Sequence, residues 1–112
     1  MSSLNLLFIC SRNQWRSPTA EHLFRSDQYR TRSAGTEPSA RVRVNEKHLA
    51  WAELIFVMEK RYRQRLQQQF PHLLDGKTVI VLDIPDEYGY MDEELVQLLR
   101  LSVGPYLEPE QE

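Results

Sequence analysis

The chain has 112 residues and a mass of 13.3 kDa, so one compact unit is expected, because two cores of this size would fold poorly. Apolar residues at 41% and charged residues at 27% exclude collagen-like, low-complexity and wholly disordered chains. The net charge of -2 selects no partner class, and Cys10 as the only cysteine excludes an intrachain disulfide and a multi-cysteine zinc site.

Residues 1–5 lack the basic start and long apolar core of a signal peptide, and the apolar runs are too short to span a bilayer. A reduced, cytoplasmic location is therefore expected. Residues 4–9 form an apolar run that reads as a buried strand. Ser17 as N-cap and Pro18 as first helical residue then start a helix, with Ala20, Leu23 and Phe24 as its apolar stripe. Residues 29–34 are a weaker strand ended by Gly35, and Asn45 caps a short helix carrying Leu49 and Trp51. Residues 54–58 are a third strand. Tyr62, Leu66 and Phe70 recur at four-residue spacing on a basic helix that Pro71 stops. Residues 78–82 are a fourth strand. Asp92 caps a last helix with Leu95, Leu98, Leu99 and Val103 inward, which Gly104 and Pro105 should end or kink. Residues 1–107 are expected as a single domain, and residues 108–112 as a frayed acidic tail.

Apolar strands alternating with helices predict a three-layer α/β fold: a four-stranded parallel sheet with helices on both faces. Ligands in such folds bind beyond the carboxyl ends of the strands. Two segments there carry chemistry, residues 10–17 and 83–90. Charge is uneven: ten Lys/Arg against five Asp/Glu over residues 25–65, and nine Asp/Glu against one Arg over residues 83–112. Solvated helix faces account for this pattern.

Cys10, Ser11, Arg12, Asn13, Gln14, Trp15, Arg16 and Ser17 run from a strand end into a helix start. A loop so placed turns backbone N–H groups and the helix dipole toward an oxyanion. The planar fork of Arg16 can hold two phosphate oxygens, and a cysteine beside a helix start and an arginine favours the thiolate. Ser17 can donate to that thiolate, and Asn13 tolerates a left-handed backbone. The segment reads as a thiolate aimed at a phosphate-like anion; a buried structural cysteine is the competing reading.

With residues 8–9 before it and residues 18–21 after it, this cysteine, five residues, arginine, serine pattern resembles the low-molecular-weight protein tyrosine phosphatases. The resemblance continues through Ser33, Ala34, Gly35 and Thr36, through residues 52–59, and into residues 84–88. It implies a flavodoxin-like, phosphotyrosine phosphatase I-like fold and a metal-independent phosphomonoester hydrolase that needs no cofactor. It also implies that residues 84–88 are the acid loop. Trp15 stands where such proteins usually carry a second cysteine, Arg12 where they have a small residue, and Glu87 where they have proline.

Asp83 and Asp86 are the candidate proton donors. The strand end favours Asp83; the motif favours Asp86, which is preferred. Trp15, Tyr88 and Tyr90 are candidate pocket walls, and Ser33 and Thr36 candidate braces for Asn13. His22, His48 and His72 have no metal-ligand spacing and read as surface or capping residues. The expected function is hydrolysis of a phosphorylated protein or small phosphomonoester through a phosphocysteine, with phosphate or sulfate-like anions binding the loop. No membrane partner is expected. The rivals are an arsenate reductase using an external small thiol and a non-catalytic phosphate sensor. A nucleic-acid module using the basic stretch at residues 60–65 is the weakest of the readings.

Overall fold

The computed structural model describes residues 3–107, so the expected frayed tail lies outside the described residues. Nine elements follow in order: β1 (Leu4–Cys10), α1 (Arg16–Phe24), β2 (Tyr29–Gly35), α2 (Glu46–Trp51), β3 (Leu54–Val57), α3 (Lys60–Gln69), α4 (Pro71–Leu74), β4 (Thr78–Val81) and α5 (Glu93–Leu107). The four strands form one parallel sheet in the order β2-β1-β3-β4. β1 carries the longest apolar run of the strands and takes a central place, with Leu6, Leu7, Phe8 and Ile9 fully buried.

The connections explain the layers. From β1 the chain steps outward through α1 to β2, then crosses back through α2 to β3 on the other side of β1. Right-handed crossovers in opposite directions put α1 and α2 on opposite faces. Accordingly α1 packs with α5, while α4 packs with α2 and α3. Phe8 stacks on Phe24 of α1 at 5.8 Å and on Phe56 of β3 at 5.2 Å, and Phe56 meets Tyr106 of α5 edge-on at 6.0 Å. The reversal of direction lies between β1 and β3, and Cys10 and Glu59 stand at the carboxyl ends of these two strands.

Several boundaries differ from those expected. α1 begins two residues earlier, with Trp15 rather than Ser17 at the N-cap position. The Ser17 side chain is turned inward to Cys10 and Asn13 and so cannot cap. Pro18 falls third in the helix, where its missing N–H has no intrahelical partner to lose. Pro71 stops α3 but also starts α4, as proline suits a first helical position. α5 continues through Gly104 and Pro105 to Leu107. The carbonyl that Pro105 leaves without a donor is that of Leu101, on the face open to water. Tyr29 Oη anchors the helix end by donating to the Leu107 carbonyl at 2.6 Å. Asn45 caps α2 as expected, in a reciprocal box with His48. Burial first, and Arg32 second, lower the His48 pKa, in keeping with a neutral ring whose Nδ1 accepts from the Asn45 N–H.

Gly35 ends β2 against the turn that follows β1. A Cβ there would sit 2.5 Å from the Ser11 carbonyl oxygen, 2.7 Å from the Ala40 Cβ and 3.0 Å from the Asn13 nitrogen. Two of these atoms are backbone and cannot swing aside. Gly35→Ala is expected to destabilise the protein by roughly 1–3 kcal/mol, as other overpacked sites do, read as a lower urea midpoint at unchanged slope.

Candidate active site

The loop after β1 is held from outside by its carbonyls. The oxygens of Cys10, Ser11 and Arg12 accept from the N–H groups of Thr36, Glu37 and Arg41 at 3.0, 2.9 and 3.0 Å. The Asn13 oxygen accepts from Arg41 Nε at 3.0 Å. In a trans peptide the next N–H points opposite to the carbonyl, so the amides of Ser11, Arg12, Asn13 and Gln14 turn toward the loop centre. The Asn13 N–H reaches Cys10 Sγ at 3.3 Å. This closure needs a left-handed residue, and Asn13 supplies it at φ 57°. Arg41 was not singled out from the sequence; its role depends on residues 36–44 folding back over the loop.

Arg16 opens α1 and is 1% exposed. Its Nη1 donates to Glu59 Oε2 and to the Ile84 carbonyl at 2.7 Å, and its Nη2 donates to Tyr62 Oη at 2.7 Å. Three of five donors are thus committed, leaving Nε–H and one Nη2–H on the edge those nitrogens share. Asp86 Oδ1 lies 3.7 Å from Nε on that edge. Burial lowers the Arg16 pKa, but the hydrogen bonds from Tyr62 and Glu59 outweigh it and the net direction is upward. Burial likewise raises Glu59, and its bonds with Arg16, Tyr62 and Arg61 carry it below the ordinary carboxylate value.

Sequence reasoning missed Glu59 and Tyr62 as site residues. Tyr62 sits in the apolar stripe of α3, and its ring is indeed buried. Its hydroxyl, however, accepts from Arg16 and Arg61 and donates to Glu59 Oε2 at 3.1 Å. Glu59 had one available signal, its place at the carboxyl end of the strand beside β1. Arg61, part of the basic stretch, is bound to Glu59 and Tyr62 and so belongs to this cluster.

Cys10, Ser11, Arg12, Gln14, Trp15, Arg16 and Asp86 line one cleft. Asp86 is held over it by a loop tied at both ends. Ile84 donates to the Met58 carbonyl and accepts from Arg16, and the Met91 N–H donates to Thr19 Oγ1 at 2.9 Å. Asp83 is exposed at φ 57° and lines a different hollow with Glu59, Lys60, Arg61 and Pro85. Trp15 stands at the cleft, 45% exposed. Tyr88 packs against the core, and Tyr90 faces a neighbouring hollow with Gln14, Glu21, His22 and Arg41; neither lines the cleft.

Behind the cleft, Ser17 Oγ lies 2.9 Å from Cys10 Sγ. Asn13 Nδ2 donates to Ser17 Oγ at 2.9 Å and to Ser33 Oγ at 2.8 Å, so Ser33 braces the loop. Thr36 braces it through its backbone, whereas its buried hydroxyl has no hydrogen-bond partner among the described residues. Asn13 and Ser17 are fully buried and lie outside the lining of the cleft, each in contact with Cys10. His22 and His72 are exposed. Among the described residues no cluster of three or more His, Cys, Asp or Glu could hold a metal, and no helix is long and apolar enough to cross a membrane.

The depressed Glu59 carboxyl makes a pH prediction. Its folded pKa lies below the ordinary 4.5, so its stabilising contribution is full above that value and is lost as pH falls through the folded pKa. Thermal unfolding from pH 7 to pH 3 should show a smaller fall in Tm for Glu59→Gln than for wild type, from a lower starting point at pH 7.

No protein-family model and no curated protein matches the sequence. Solved structures do match. The YwlE arginine phosphatase from Geobacillus stearothermophilus is 19% identical over 97% of this chain and 99% of its own, with a TM-score of 0.68. The tyrosine phosphatase Wzb from Escherichia coli K30, solved with phosphate, is 22% identical over 94% and 96%, with a TM-score of 0.73. The low molecular weight protein tyrosine phosphatase SP-PTP from Streptococcus pyogenes is 19% identical over 97% and 94%, with a TM-score of 0.77. The chain therefore has the fold of the low-molecular-weight protein tyrosine phosphatases.

Proposed function

We propose that the protein is a cysteine-dependent phosphomonoester hydrolase. One observation carries this reading: Cys10 Sγ, the inward amides of its loop and the uncommitted edge of Arg16 converge on one cleft, with Asp86 opposite. The amides and Arg16 hold the three phosphoryl oxygens, where the transition-state charge spreads. The Cys10 thiolate forms the S–P bond as the P–O bond to the leaving group breaks, and Asp86 gives its proton to the departing oxygen. Asp86 then takes a proton from water as that water attacks phosphorus. The P–S bond breaks, and the Ser17 hydroxyl supports the departing thiolate.

The substrate we infer is an aromatic phosphomonoester, phosphotyrosine in a protein or a small analogue, because the exposed Trp15 ring offers a stacking wall. The structural neighbours include tyrosine phosphatases and an arginine phosphatase, so phosphoarginine is the informative competitor. We infer a cytoplasmic location, because a reducing compartment keeps a nucleophilic thiol available.

Hydrolysis of p-nitrophenyl phosphate without added metal is expected in wild type and absent in Cys10→Ser. Asp86→Ala should lower kcat by about 10²- to 10⁴-fold, while Asp83→Ala stays close to wild type. A folded wild type that binds phosphate but does not turn over would replace this reading with a sensor. Trp15→Ala should raise KM for a phosphotyrosine peptide by about three- to tenfold and leave a phosphoserine peptide unchanged, measured by phosphate release.

A further inference from the structure

The polar side chains behind Cys10 form a chain that ends on a carboxylate. Ser33 Oγ donates to Glu21 Oε1, and Asn13 Nδ2 donates to Ser33 Oγ and Ser17 Oγ. Ser17 Oγ lies against Cys10 Sγ. Each serine has one proton. Ser33 gives its proton to Glu21 and Ser17 accepts from Asn13, so the Ser17 proton is left for Cys10.

The Asn13 amide could take the opposite orientation by count alone. Its Oδ1 is buried with no hydrogen-bond partner among the described residues, while Nδ2 meets both serines. Turned over, Oδ1 would accept from both serines and Nδ2 would be the unpartnered group. The Ser17 proton would then point at Asn13 and away from Cys10. What separates the two arrangements is the far end of the chain. An ionised carboxylate only accepts, so it holds the Ser33 proton and forces Ser33 to accept from Asn13.

We propose that Glu21 is a positioning residue that, through Ser33 and Asn13, sets the direction of the Ser17 proton toward Cys10. Glu21 lies outside the Cys10 cleft, on a separate hollow. The charged groups about it are Arg25 at 3.5 Å on its own helix, His22 beside it, and Arg41 across the hollow. Those about Cys10 are Arg16, Arg12 and Asp86. The inference rests on the phosphatase reading for its rate measurement only.

The test uses two measurements on the whole chain. The first is kcat for p-nitrophenyl phosphate with inhibition by inorganic phosphate; the second is the rate of Cys10 alkylation by iodoacetamide at neutral pH, which needs no turnover. Glu21→Ala should lower both kcat and the alkylation rate by about tenfold, the effect of one hydrogen bond to a charged group, with the phosphate inhibition constant little changed. Glu21→Gln keeps an acceptor for Ser33 but, unlike a carboxylate, can also donate to it, so it should recover only part of the loss. In a Ser33→Ala background Glu21→Ala should have no further effect. Two outcomes would overturn the proposal: an undiminished Glu21→Ala effect without Ser33, or normal alkylation in Glu21→Ala. If wild type lacks turnover, the phosphatase reading fails, and the alkylation series still decides the role of Glu21.

Discussion

A guanidinium that is 1% exposed organises this molecule. Arginine stays charged in proteins, and withdrawing an ion from water costs several kcal/mol unless its donors are met. Three segments meet them here: Glu59 beyond β3, Tyr62 on α3 and the Ile84 carbonyl beyond β4. These partners occupy the inner side of the fork, so its remaining edge faces Cys10 and Asp86. The arginine thereby joins the carboxyl ends of three strands, and the position of Asp86 follows from the same contact, because Ile84 lies two residues before it.

The loop around Cys10 obeys the complementary constraint. Donors can face an anion only if the carbonyls of the same peptides find partners elsewhere. Residues 36–41 supply those partners, and Gly35 lets that segment approach within contact of Ser11 and Asn13. Asn13 gives the loop its left-handed residue and links it to the serines behind it. The loop is thus shaped from outside by backbone and from behind by side chains, while its centre holds amides, a thiol and the edge of Arg16.

Much of this was legible beforehand. The three apolar runs and the weaker second strand, the Asn45 and Asp92 caps and the parallel pairing follow from local patterns, and the structure has each of them. Cys10 and Arg16 were legible because a strand end and a helix start bracket them. The errors share one cause. Ser17 looked like a cap as well as a donor to Cys10, and Tyr62 like core alone, since local pattern assigns a polar group to its nearest backbone or face. Partners distant in the chain decided both: Cys10 and Asn13 take the Ser17 side chain away from the cap, and Arg16 and Glu59 hold the hydroxyl of the buried Tyr62, while Tyr90 faces a neighbouring hollow. Pro105 misled for a related reason, as a proline is tolerated where the carbonyl it orphans faces water.

By itself, then, the sequence determined the α/β alternation and the presence of a thiol and an arginine in a loop entering a helix, because these depend on periodicity and spacing along the chain. Only the tertiary structure decided which aspartate faces the thiol, which groups neutralise the arginine and which way the buried hydroxyls donate. Those choices depend on atoms separated by tens of residues, brought into contact by the packing of β1 between β2 and β3 and of β4 beside β3.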